Sequence, residues 1–158
     1  MAAVLANAEP YSMALREENG YLPDFDSIPA DILNRAKLMF LNYPNNPTSA
    51  IAELSFFEKA VAFAKKHDIV ICHDNAYSEI TFEGFVAPSI LEVPGAMDCC
   101  IELNSLSKPF NMTGWRVAFA YGNEQLIGAL RKVKTSTDSG QFTAIQFAAM
   151  EGLANPDA

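Results

Sequence analysis

Ser55-Phe56-Phe57-Glu58-Lys59-Ala60-Val61-Ala62-Phe63-Ala64-Lys65-Lys66-His67-Asp68-Ile69-Val70-Ile71-Cys72 is the stretch that decides the architecture. Its first part has the period of a helix. Phe57, Ala60, Val61 and Ala64 fall on one stripe behind a Ser-x-x-Glu start made by Ser55 and Glu58. His67, after two lysines, closes the helix where positive charge suits the dipole. Ile69 to Cys72 then forms a short, unbroken apolar run, the pattern of a strand covered on both faces. Leu38 to Leu41, upstream of the helix, is a second such run. Strand, helix and strand in this order predict a parallel pair joined by a crossover.

Further out, Cys99 to Leu103 and Val117 to Tyr121 read as strands of the same sheet. Ala3 to Ala6 and Tyr11 to Leu15 read as two more, around a turn at Glu9-Pro10. Helical spacing recurs from Ser27 to Arg35, with Pro29 in its first turn. It recurs again from about Asn123 (Leu126, Ile127, Leu130, Val133) and from Phe142 to Leu153. The whole predicts an α/β fold, a three-layer sandwich with a mostly parallel central sheet, in a single domain over residues 1–158. The link from Leu103 to Val117 is too short for a crossover helix, so the last strand is expected to run antiparallel.

Composition narrows the function classes. The chain has 158 residues, half of them hydrophobic and 19% charged, and a net charge of −8 with no basic cluster. Nucleic acid and anionic membrane surfaces are therefore not expected partners. No apolar run is long enough to span a bilayer. The cysteines, Cys72, Cys99 and Cys100, lie in apolar runs without metal-ligand spacing, so no metal site is expected. Buried free thiols point to the cytoplasm.

The strand ends carry the chemistry, because ligands of open α/β sheets collect at the carboxyl ends of strands. Asn42-Tyr43-Pro44-Asn45-Asn46-Pro47-Thr48 follows one strand and His73-Asp74-Asn75-Ala76-Tyr77 the next. Ser105-Leu106-Ser107-Lys108-Pro109-Phe110-Asn111-Met112-Thr113-Gly114-Trp115-Arg116 follows the third. A lysine amine among two serines and an arginine can condense with an aldehyde while its neighbours hold a phosphate. An aldehyde and a phosphate on one small molecule suggest pyridoxal 5′-phosphate (PLP). A carboxylate facing the pyridine nitrogen and an amide and phenol at the ring oxygen would complete such a site. Taken singly, Asn46 before a proline is a turn residue and the serines are ordinary loop hydroxyls. His73 alternates away from Asp74 and is expected to be structural; Met112 and Cys72 are expected in the core.

These segments resemble the fold-type I PLP-dependent aminotransferases of class I/II. Asn42 to Thr48 is similar to that family's N-Y-P-x-N-P-T-G loop, Asp74 to Tyr77 to its D-x-x-Y strand end, and Ser105 to Arg116 to S-x-S-K…G-x-R. Glu9-Pro10-Tyr11 and the stretch from Glu17 to Phe25 resemble its LL-diaminopimelate and aspartate/aromatic branch. The resemblance implies that Lys108 is the catalytic Schiff-base lysine and that Asp74 faces the pyridine nitrogen. It implies Asn46 and Tyr77 at the ring oxygen, and Ser105, Ser107 and Arg116 at the phosphate. The implied reaction moves an amino group between an amino acid and a 2-oxo acid, in a homodimer.

The resemblance also implies missing parts. The family's glycine-containing phosphate loop, its ring-stacking aromatic residue, a tyrosine from a partner subunit and a C-terminal domain with a carboxylate-binding arginine find no counterpart here. The chain thus reads as the central large-domain part of such an enzyme, expected to be weakly active or inactive alone. The other reading is an incompetent remnant or oligomerising module that retains the motifs without binding PLP. Ser49 stands where the family has glycine, so a different loop backbone is expected there.

Overall fold

The computed structural model describes residues 2–155. Its sheet has four strands in the order β1-β2-β3-β4: β1 Leu38–Asn42, β2 Val70–Asp74, β3 Cys100–Ser105 and β4 Ala118–Gly122. β1 pairs parallel with β2, and β2 with β3; β4 returns antiparallel along β3. This is the mostly parallel α/β sheet that the apolar runs predict, with the expected reversal after the short link.

The strands expected at Ala3–Ala6 and Tyr11–Leu15 are absent. Ala2–Leu5 is a single helical turn, α1, and residues 11–15 are irregular. A strand persists only where a neighbour completes its ladder. Here Val4 and Leu5 lie exposed, and Met13 merely rests against the core. The helix expected over Ser27–Arg35 shrinks to α2, Ala30–Leu33, because Pro29 sits outside it as the N-cap, after a 3-10 turn at Phe25–Ser27.

Helix α3 runs from Leu54 to His67 with Glu53 at its N-cap, and no side chain caps it. The Ser55/Glu58 box therefore does not form: the helix starts two residues early, which puts Ser55 inside its first turn. Asp68 ends α3 in the left-handed conformation, at φ 54°. Phe56, Phe57, Ala60, Val61 and Ala64 of α3 pack on Met39, Leu41 and Ile71, forming the main core on one face of the sheet. Helix α4, Glu124–Thr137, is capped by Asn123, whose side chain accepts from the Leu126 amide.

Helix α5, Thr143–Ala154, packs Ala149, Ile145 and Ala148 against Leu106, Met112 and Val117. This smaller cluster clamps the β3–β4 loop that carries Lys108. Cys72 and Met112 are buried as expected. On the sheet face away from α3, Leu38 and Phe40 remain 50% and 60% exposed.

Candidate functional site

Strand register brings the candidate residues to one edge. Asn42, the last residue of β1, is paired with Asp74, the last of β2, and Asp74 with Leu103 of β3. The Asn42 amide donates to the Asp74 carbonyl at 2.9 Å, and its Oδ1 accepts from the Asn46 amide N–H at 2.8 Å. Asn45 tightens the same loop: its Oδ1 accepts from the Thr48 hydroxyl at 2.7 Å. Peptide bonds Tyr43–Pro44 and Asn46–Pro47 are cis. Ser49 adopts φ 61°, the region glycine favours, so the loop keeps a glycine-like backbone despite the serine, contrary to the expected difference.

The Asn46 side-chain amide donates to the Tyr77 hydroxyl at 3.1 Å. The Lys108 ammonium lies 4.7 Å from the centroid of the Tyr77 ring. Amide, phenol and amine from three separate segments thus meet directly. Asp74 is half-buried and shares its sheet face with Cys72, two residues before. The Cys72 thiol is pushed up to about 11, first by burial and then by the negative charge of Asp74. Strand alternation, with Ile71 and His73 on the α3 side, puts Asp74 on the face away from α3.

In the β3–β4 loop, Ser105 Oγ accepts from the Ser107 amide at 3.2 Å, and the Ser107 carbonyl accepts from the Thr113 hydroxyl at 3.1 Å. Ser107 and Leu106 are buried, so Lys108 leaves an anchored stretch. The Leu106 amide donates to the Val117 carbonyl at 3.3 Å, which returns Arg116 to the serines' end of the hairpin. Arg116 has φ 53°. Its guanidinium, however, donates to the Thr113 carbonyl at 2.8 Å and reaches neither serine. Beside Asn46 and Tyr77 opens a cleft of about 420 Å³, walled by Pro44, Pro47, Ile51, Ile80 and Phe82.

Behind the site lies a polar network that sequence reasoning missed. Glu102 of β3 is fully buried. Its carboxylate accepts from Tyr121 at 2.6 Å, the Ser89 hydroxyl at 2.8 Å, and the Asn75 and Asn104 amides at 3.1 Å each. The Ile90 backbone N–H adds a bond at 3.1 Å. His73 lies between Glu102, at 3.1 Å from Nδ1, and the Tyr43 carbonyl, at 3.0 Å from Nε2. A ring carrying hydrogen on both nitrogens donates to both acceptors. Burial works to raise the Glu102 pKa, but hydrogen bonds from His73, Tyr121, Asn75 and Ser89 outweigh it and bring it to about 2. The available signal was a lone acid in the apolar run Cys99 to Leu103, since a charge there must be paired. His73 has the structural role its alternation predicts.

All of the chain, residues 1–158, matches the family model for aminotransferase class I and II. The chain belongs to the class I and II aminotransferases. Among curated members of that family, the LL-diaminopimelate aminotransferase of Moorella thermoacetica is 52% identical over 99% of this chain and 40% of its own length. That of Gloeobacter violaceus is 54% identical, again over 99% of this chain and 40% of its own. The chain therefore spans about 40% of the length of these curated relatives. Among solved structures, substrate-bound BacF from Bacillus subtilis superposes with a TM-score of 0.93 at 49% identity, over 98% of this chain and 39% of that one. A probable N-succinyldiaminopimelate aminotransferase from Thermus thermophilus gives 0.92 at 39% identity, over 98% and 41%. Among the described residues, no helix is long and apolar enough to cross a membrane.

Proposed function

We propose that this chain, as one domain over residues 1–158, holds PLP for an aminotransferase reaction between an amino acid and a 2-oxo acid. One observation carries the reading: the Asn46 amide, Tyr77 phenol and Lys108 amine converge within an aminotransferase family fold. The donor set fits the group. The Asn46–Tyr77 pair presents N–H and O–H donors for a ring oxygen, Asp74 stands at the adjacent strand end, and Lys108 extends from a buried anchor.

When bound, PLP supplies an aldehyde that condenses with amines and a protonated ring that accepts electrons from the substrate carbon. Asp74 would keep the ring nitrogen protonated. Asn46 and Tyr77 would hydrogen-bond the ring oxygen. Lys108 would hold the cofactor and later move a proton at its Nζ. Ser105, Ser107 and Arg116 would bind the phosphate, with the Arg116 guanidinium leaving the Thr113 carbonyl to do so. The relatives named for LL-diaminopimelate make that compound the first amino donor to test. Exposed Phe142, Phe147, Met150 and Leu153 on or beside α5 support a homodimer, and the free thiols support a cytoplasmic location.

A second reading, a domain that keeps the motifs without binding PLP, draws on one observation: Arg116 is engaged away from the serines. Titrating PLP while following its absorbance, with Lys108→Ala beside the native chain, separates the two. A new band in the native protein alone supports the cofactor reading, with weak binding expected. Identical spectra support the second.

A further inference from the structure

We infer that Glu102 is the positioning residue of this site: from the covered face of the sheet, it sets the direction of Asp74 and the place of the Asn46 loop. The inference rests on the cofactor reading above. His73 and Glu102 are register partners on the face packed by α3, while Asp74 belongs to the opposite face. The Glu102 carboxylate takes hydrogen bonds from both neighbours of Asp74, His73 at 3.1 Å and Asn75 at 3.1 Å. Residues fixed on either side leave the Asp74 backbone little rotation, so its side chain has one direction in which to leave the sheet.

The hold on Asn75 is through its nitrogen alone. Asn75 Oδ1 is buried and takes no hydrogen bond from the described residues. Without Glu102 the whole amide loses its fixed orientation.

The same carboxylate reaches the Asn46 loop through His73. The Nε2 edge of His73 meets the Tyr43 carbonyl at 3.0 Å, three residues before Asn46. On the other side, Tyr121 of β4 and Asn104, the residue before Ser105, also donate to Glu102. Every strand end that carries a candidate ligand is thus tied, directly or through one ring, to one buried anion. An apolar residue could fill this volume, but it could not fix these donors.

The test compares the native chain with Glu102→Gln, Asp74→Asn, their double variant and Val61→Ala, a core truncation of α3 away from the network. The primary readout needs no cofactor: the NMR resonances of the Asp74 carboxyl carbon and the Asn46 side-chain amide. Glu102→Gln is expected to shift both and leave the Lys134–Asp138 pair unmoved, whereas Val61→Ala shifts neither. The second readout is the PLP dissociation constant. Glu102→Gln is expected to raise it about tenfold, the low end for losing a group that orients a ligand. The double variant is expected to lose less than the sum of the two single losses, because part of the effect of Glu102 passes through Asp74.

Unmoved Asp74 and Asn46 resonances in a folded Glu102→Gln would overturn the inference, as would additive losses in the double variant. If the native chain takes up no PLP, the cofactor reading fails and the inference is judged on the resonances alone. Should Glu102→Gln not fold, Tyr121→Phe, which removes one donor from the rim strand, is read in the same way.

Discussion

Lowering the pH from 7 to 3 should remove about 2 kcal/mol of folding stability through Glu102 alone. Its carboxyl sits near 2 in the fold against an ordinary 4.5. The folded value is the lower one, so the stabilisation is complete above 4.5 and is lost as the pH falls toward 2. Each pH unit in that window costs about 1.4 kcal/mol, which gives about 2 by pH 3 and about 3 once both forms are protonated. Glu102 is fully buried, so solvent does not screen the effect. Against a typical total of roughly 5–15 kcal/mol the loss is large. Urea unfolding at pH 7, 5, 4 and 3 measures it, with Glu102→Gln as the reference. Other carboxylates titrate in both proteins, so the quantity read is the gap between their stabilities. That gap should narrow by about 2 kcal/mol between pH 7 and pH 3. A constant gap would refute the reasoning.

Gly122→Ala should destabilise by more than about 2 kcal/mol in the same urea assay, because its φ is 133° and a Cβ would stand 2.5 Å from the Cys100 carbonyl oxygen. Ser89→Ala removes both a bond to Glu102 and the cap of the turn Ile90–Glu92; on the order of 1–2 kcal/mol should be lost. Phe147→Ser with Met150→Ser, both on the exposed side of α5, should lower self-association in light scattering without lowering the urea midpoint. An unchanged mass distribution would speak against α5 as the contact face.

The four paired strands were legible because each is an apolar run whose neighbours also lie in this chain. Ala3 to Ala6 has similar composition but no ladder partner, and so forms a helical turn instead. Composition states only what a segment could bury, whereas pairing depends on what is near. Capping shows the same limit. Ser55/Glu58 and Ser89/Glu92 share one spacing, yet only Ser89 and Glu92 form the reciprocal box, because α3 begins before Ser55. In the candidate site, the meeting of Asn46, Tyr77 and Lys108 near the strand end that carries Asp74 was legible because a strand end fixes where the residues just beyond it lie. The Arg116 guanidinium could not be aimed from sequence, since its direction is set by a loop carbonyl. Glu102 was concealed among apolar residues, and its meaning depends on His73 and Tyr121 from neighbouring strands.

Borohydride reduction of the chain after incubation with PLP, followed by peptide mapping, tests the central claim most directly. Reduction fixes the cofactor on whichever amine held it. The account predicts a phosphopyridoxyl group on the peptide carrying Lys108, lost in Lys108→Ala and reduced in Asp74→Asn. Label spread evenly over surface lysines such as Lys59, Lys66 and Lys132, with Lys108 no more modified than they are, would contradict it.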